Sequence, residues 1–371
     1  MEMSLVAFDK AAKMVFRACA ALVFSVAVVH GMRAVAAAGA VFARGVVAAV
    51  PVSAGSSYEF SVEDIAAFQG ERAEDTFSFA VNRMDAVSTD TASVSALLTY
   101  TNSPYAEMVH FDFLCGAFWT APYEAANVAV ISEALAWKLF GSFNVAGNEI
   151  VVESRCYTVQ GVARQTGGRY EAWLPYASAE GMGGAPVLYM KPSAYHAVDS
   201  HFAVRDALAA MGKHAGLYDI IDTTTYAGNM RYRTQMALLL CGLCGIGLIV
   251  RVVIGSVLRL RKAGAWKVFM YGALPGLAVV TCLALWQLVR FPFHAVLFDG
   301  ALTEVLFNVQ AISESTAGQR PLAQLAAANA SANMAFITAC AAVGVWLAAE
   351  VLFAVRGRVA AQNALCENET L

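Results

Sequence analysis

The chain is 371 residues long, 58% of them apolar and only 14% charged, with a formal net charge of −3 and a mean hydropathy of +0.56. A soluble domain carries about a quarter of its residues as charges, so this composition indicates an integral membrane protein. The balance turns acidic over residues 51–233, with 20 acidic against 11 basic residues, which excludes a nucleic-acid binder.

The first apolar run, Val15–Val29, follows Lys10, Lys13 and Arg17 and predicts a membrane helix with its basic end inside. His30, Arg33 and Arg44 interrupt the run. The helix is therefore expected to leave the membrane near Arg33 and continue as an Ala-rich stalk to residue 50. Val52-Ser53-Ala54 resembles a small-residue cleavage site, and a signal peptide is the second reading, although the segment is much longer than the usual 15–30 residues or so.

Residues 51–233 read as a folded domain outside the membrane, of mixed α+β class. Asn127–Ile131 is a short apolar strand, Ser132 a good N-cap with Glu133 in the first turn, and Leu135 and Leu139 share a face until Gly141 stops the helix. Glu149–Val152 and Tyr157–Val162 form a predicted hairpin around Glu153-Ser154-Arg155, without the favoured Asn-Gly turn. Further strands are expected at Val187–Met190 and Tyr218–Ile221, a helix over Phe202–Met211, and a loop at Gly181–Pro186. Cys115 and Cys156 are the two cysteines of this region; their spacing leaves open whether they pair. His196, His201 and His214 lack a carboxylate pattern that would complete a metal site and read as a solvated stretch. Ser53, Ser56 and Ser57 lack a nucleophile-elbow context, and no catalytic, cofactor or metal site is expected.

Three more runs, Met236–Leu258, Phe269–Leu288 and Met334–Phe353, are each long enough to span a bilayer. Lys and Arg are retained on the cytoplasmic side. The connection after the second run holds Arg259, Arg261, Lys262 and Lys267, and the tail holds Arg356 and Arg358, whereas Phe291–Ala332 has Arg320 alone, with Arg290 at its edge. Both termini are thus expected inside. The organisation is residues 1–50 for N-terminus, first helix and stalk; 51–233 for the outer domain; 234–358 for three membrane helices, with a cytoplasmic connection at 255–267 and an outer loop at 291–332; and 359–371 for a cytoplasmic tail.

Within the helices, Ala237, Cys241 and Gly245 recur every four residues, as do Thr338 and Ala342, a spacing that permits close backbone approach in lipid. Cys241-x-x-Cys244 lies inside an apolar run without a second pair, which favours packing over metal or redox chemistry. Arg251 and Glu350 fall at similar depths towards the inner ends of the second and fourth helices, suggesting an ion pair, with independent snorkelling as the other reading. A phosphate-cradling loop needs a Lys-Ser/Thr pair after a Gly-rich turn; the single Gly-Lys, Gly212-Lys213, is followed by His214.

Gly116 in FLCGAFW, Val130-Ile-Ser-Glu-Ala-Leu-Ala-Trp-Lys-Leu-Phe-Gly141, Gly147 with Ile150, and Tyr157-Thr-Val-Gln-Gly-Val162 together resemble one family, the MacB/FtsX-type ABC transporter permeases. The one-plus-three helix arrangement extends the likeness. Family members often carry Arg where this chain has Ala117, and their cytoplasmic connection reads R-x-x-E-I-G-x-x-K-A-x-G-A where this chain has Arg259-Leu-Arg-Lys-Ala-Gly-Ala265, without the acidic-Ile-Gly part. The resemblance implies a non-catalytic subunit of the bacterial inner membrane that works with a separate ABC ATPase and a second permease copy or paralogue, on an extracytoplasmic protein or lipid. The ATPase would dock on Arg259, Arg261, Lys262, Gly264 and Lys267. A membrane-anchored scaffold or sensor without ATPase coupling is the alternative.

Overall fold

One strand of 13 residues organises the sheet: β2 (Thr76–Ser88) pairs with β9 (Leu188–Lys191) through its first four residues and with β3 (Ser93–Thr101) through the rest. The computed structural model describes residues 2–52, 59–72, 74–164, 168–178, 184–193, 200–236, 239 and 320–369. The chain divides into a sheet unit, Ala37–Ala227 with Gln310–Ala327, and a helical unit, Met1–Ala36, Gly228–Val309 and Ala328–Leu371.

In the sheet unit β1 (Val47–Pro51), β4 (Asp112–Gly116), β5 (Val128–Ser132), β6 (Glu149–Val152), β7 (Arg155–Arg164), β8 (Glu171–Pro175) and β10 (Tyr218–Asp222) complete one mixed sheet. Its order is β10-β1-β9-β2-β3-β8-β5-β7-β4, with β6 beside β2 and β7. The pairs β3–β8 and β5–β7 are parallel. Two cores form on it. The helices α2 (Val62–Glu71) and α5 (Ser200–Ala210) bury Ile65, Phe68, Val204 and Leu208 with Phe77, Phe79 and Met190. The helix α4 (Glu133–Phe140) buries Leu135, Ala136 and Leu139 with Leu98, Ile131, Val159 and Val162. A short turn of helix, α3 (Tyr105–Met108), follows β3.

The region from β5 to α4 forms as its sequence dictates. Ser132 ends the strand in extended backbone and its hydroxyl caps α4 by accepting from the Leu135 amide at 3.3 Å. Gly141 stops the helix in the left-handed conformation, φ 65°. The β6–β7 hairpin forms without Asn-Gly because Glu153 and Ser154 themselves take positive φ, 48° and 66°, the conformation a two-residue primed turn demands. An ion pair of 2.6 Å from Arg83 on β2 to Glu153 holds that turn. Strands at β9 and β10 and the helix α5 lie where the sequence places them, within a residue or two.

The expected stalk is shorter than read. The first helix, α1, runs Glu2–Gly39 without a break, but Val47–Pro51 is a fully buried strand between β10 and β9. The sheet unit thus begins before residue 51, and a boundary there would cut through β1. Cys115 and Cys156 are both free thiols, and Cys115 donates to the Phe143 carbonyl at 3.0 Å.

In the helical unit α6 is described over residues 223–236, its last turns belonging here, and α7 runs Arg320–Glu369. The fourth helix therefore begins at Arg320, not Met334, so the expected outer loop 291–332 ends in helix, and the expected tail 359–371 is helical to Glu369. Among the described residues, two stretches are long and apolar enough to cross a membrane, Cys19–Gly39 of α1 and Arg320–Phe353 of α7. The second and third apolar runs lie outside the described residues, apart from Met236 and Leu239.

Candidate functional site

Within the sheet unit, the last turn of α1, the α3 region, β8 and the first turn of α7 surround a cavity of about 370 Å³. Ala37, Ala40 and Val41 come from the end of α1 and its exit; Tyr105, Trp173 and Phe111 supply aromatic walls; Glu171 and Arg320 supply charge. Phe111 meets Trp173 edge to face at 5.1 Å.

Glu171 and Arg320 form an ion pair, their side chains 2% and 14% exposed. Taking two charges out of water costs several kcal/mol per ion unless each finds its partner. The geometry favours this pairing. Arg320 opens a helix whose N-terminal end carries partial positive charge, an unfavourable place for a cation, and the Glu171 carboxylate offsets both. Pro321 in the first turn has no amide hydrogen to leave unsatisfied. Burial pushes the Tyr105 phenol above its ordinary pKa, with the Glu171 carboxylate adding to the rise and Arg320 opposing it. Tyr189, which meets Tyr105 edge to face, is raised by burial and then by Tyr105. Neither phenol ionises near neutral pH.

Ser132 joins this site to the α4 cap. Its hydroxyl accepts from the Glu171 amide at 3.1 Å as well as from Leu135, and donates to the Arg169 carbonyl at 2.9 Å. Replacing it with Ala removes all three bonds at a fully buried position. The expected cost is about 1–3 kcal/mol, measured as a lower denaturant midpoint for protease resistance of the sheet unit in the detergent-solubilised chain. An unchanged midpoint would show that the hydroxyl holds neither β8 nor the helix.

Among the described helices, small residues meet within the helical unit. An added Cβ on Gly31 of α1 would lie 3.3 Å from the Thr234 hydroxyl and 3.4 Å from the Ala335 Cβ. Ala27 packs with Ala339. On α7 the buried small residues are Ala328, Ala332, Ala335 and Ala339, whereas Thr338 is exposed and donates to the Met334 carbonyl at 2.7 Å. Arg233 of α6 is buried and donates to Asn329 at 2.7 Å and to Asn333.

Other sequence-predicted positions, Ala237, Cys241, Gly245, Arg251, Arg259, Arg261, Lys262, Gly264 and Lys267, lie outside the described residues. Glu350 is half-buried on α7. His214 caps its own turn, its ring nitrogen accepting from the Gly216 amide at 3.2 Å, and His201 is exposed. Among the described residues, no group of three or more His, Cys, Asp or Glu is placed to hold a metal.

The chain matches the family model of the MacB-like periplasmic core domain over residues 18–206. The chain belongs to this family. Solved structures similar to it include two. One is the periplasmic region of MacB from Actinobacillus actinomycetemcomitans, at 14% identity and a TM-score of 0.41, covering 49% of this chain and 90% of that one. The other is the extracellular domain of the noncanonic ABC-type transporter YknZ from Gram-positive bacteria, at 17% identity and a TM-score of 0.40, covering 47% and 99%. A comparison with curated proteins gives no match. The family and the two apolar helices define a membrane protein with an extracytoplasmic mixed α/β domain and a transporter-associated role.

Proposed function

We propose that this chain is a permease-like subunit of the bacterial cytoplasmic membrane, without catalytic activity of its own. It transmits ATP-driven motion from a separate cytoplasmic ATPase to the extracytoplasmic domain, alongside a second permease copy or paralogue, in export, lipoprotein extraction or another envelope process acting on a protein or lipid. The supporting observation is Arg320. The first residue of an apolar helix long enough to span a membrane is ion-paired to a buried carboxylate of the MacB-like sheet. A displacement of that helix meets the sheet at a charged contact that is costly to break.

The missing acidic-Ile-Gly segment in Arg259–Ala265 favours a second reading, a scaffold whose connection is only a positive-inside anchor. Purification of the native complex in mild detergent separates the two. The transmission reading expects an ABC ATPase to accompany the wild-type chain, and Arg261→Glu with Lys262→Glu to uncouple hydrolysis while membrane insertion is kept. Absence of any ATPase, or full ATPase stimulation by the charge-reversed form, would establish the scaffold.

A further inference from the structure

We infer that the cavity beside Tyr105, Phe111 and Trp173 is a headgroup site for a zwitterionic phospholipid, one whose headgroup carries a phosphate and an ammonium as phosphoethanolamine does. Every residue that lines it belongs to the sheet unit. The site is independent of ATPase coupling and holds for either reading of what the chain does.

The cavity has an exposed mouth and a buried floor. Ala40, His110, Asp112, Arg164 and Gln324 are exposed, whereas Tyr105, Val109, Glu171 and Trp173 are buried. Its volume of about 370 Å³ stands at the small end of ligand pockets, which run from about 300 to 1,000 Å³. That suits a headgroup and excludes a whole lipid. The charged lining is balanced, Asp112 and Glu171 against Arg164 and Arg320, so neither a plain anion nor a plain cation gains net attraction. A ligand bearing both charges does.

The two ion pairs differ in what they can release. Glu171 and Arg320 are largely buried, and separating them would leave an uncompensated charge, so this pair stays as the floor. Arg164 and Asp112 lie 3.0 Å apart with both side chains 59% exposed, and water screens such a surface pair until it contributes little. It opens readily. The Arg164 guanidinium is then free for a phosphate, which it can grip with two parallel bonds, and the Asp112 carboxylate for an ammonium. Phe111 meets Trp173 edge to face at 5.1 Å and Tyr105 at 6.1 Å, an aromatic wall suited to an ammonium and its methylenes. The mouth also lies where lipid is at hand. Ala37 and Ala40 stand on either side of Gly39, the last residue of the apolar stretch Cys19–Gly39, and Gln324 is one turn into the stretch Arg320–Phe353. Trp and Tyr gather at the headgroup level of membranes because one end of each ring system is apolar and the other polar.

The test is native mass spectrometry of the full-length protein in a maltoside detergent, which has neither phosphate nor amine, titrated with phosphatidylethanolamine or with phosphatidylglycerol. The wild-type chain should hold one phosphatidylethanolamine about tenfold more tightly than phosphatidylglycerol, a difference of about 1.4 kcal/mol. Asp112→Asn removes the partner of the ammonium and should erase that preference, whereas Arg164→Gln should weaken both lipids about tenfold. Ala40→Trp, at an exposed position of the rim, should block the mouth and abolish the bound lipid while the urea midpoint of the sheet unit stays at its wild-type value. Arg205→Gln, exposed on α5 and outside the cavity, should change neither lipid. Glycerophosphoethanolamine, the headgroup without acyl chains, should displace the lipid only in large excess; displacement at equal concentration would assign the cavity to a soluble phosphate ester and overturn the lipid source. Equal binding of the two lipids by the wild-type chain, no retained lipid at all, a preference that survives Asp112→Asn, or a bound lipid that survives Ala40→Trp in a folded chain would each overturn the site.

Discussion

Gly116→Ala is expected to destabilise the sheet unit strongly, opening it to protease at much lower urea in a full-length chain that still inserts into the membrane. Gly116 ends β4 with φ 67°, a conformation that costs an L-residue about 1–2 kcal/mol. The larger obstacle is space. A Cβ at this position would lie 2.0 Å from the Gln160 carbonyl oxygen and 2.7 Å from the Gly161 Cα, both backbone atoms of β7. No rotamer relieves a backbone clash, so β4 must separate from β7, where Gly116 faces Gly161 in the register. Overpacking of this kind adds about 1–3 kcal/mol or more. The total, roughly 2–5 kcal/mol, is a large share of the 5–15 kcal/mol or so by which a domain is stable. Gly70→Ala is the matched control: it lies in α2, with no atom within 4 Å of an added Cβ, and helix propensity favours Ala there. Thermolysin digestion at increasing urea should place Gly116→Ala far below wild type and Gly70→Ala at or above it. Equal midpoints for the two variants would mean that β4 does not approach β7 at this glycine.

Why Gly116 was legible only as part of a family pattern, and β5–α4 as physics, comes down to range. Ser132, Glu133, Leu135, Leu139 and Gly141 act on one another within ten residues, so cap, face and stop agree locally and can be read in line. Gly116 is required by the backbone of Gln160 and Gly161, which nothing near it in sequence announces. Ala48 and Ala49 misled in the opposite sense. Alanine has the best helix propensity, and an Ala-rich run after a membrane helix reads as its continuation, yet both residues are fully buried between β10 and β9, where sheet pairing outweighs propensity. The strands β2 and β3 were not identified. Their buried Ser78, Thr99 and Thr101 blur the apolar signal, each being satisfied by a partner, Asn102, Asn82 and the Phe79 carbonyl, that sequence alone does not pair with it. Arg320 had a visible signal, a lone cation before Pro321 in a base-poor segment. Its weight in the charge-orientation rule hid its role as the opening residue of α7, and Glu171, a carboxylate in a buried strand, carries no local mark of the partner it needs.

Leu139→Ala is expected to destabilise the second core by about 2–5 kcal/mol. The side chain is 4% exposed and belongs to the cluster of Leu98, Ile131, Leu135, Val159 and Val162. With only eight residues, α4 is too short to be stable through its own hydrogen bonds. Its place on the sheet depends on burying Leu135, Ala136 and Leu139, so the truncation both removes apolar contact and loosens what holds the helix. The neighbouring Trp137 separates burial from size. It is the larger side chain but is 59% exposed, meeting Phe143 at 5.3 Å between ring centroids. Trp137→Ala removes more atoms from the chain and fewer from the core, so its cost should be the smaller of the two. Because Ser132 joins the α4 cap to the Glu171 amide, the Leu139→Ala variant should also show faster amide exchange at 171–175, whereas Trp137→Ala should not. A reversed order, with Trp137→Ala the more damaging in urea-dependent proteolysis, would place the opposite face of α4 against the sheet and break the link from this helix to the Arg320 contact.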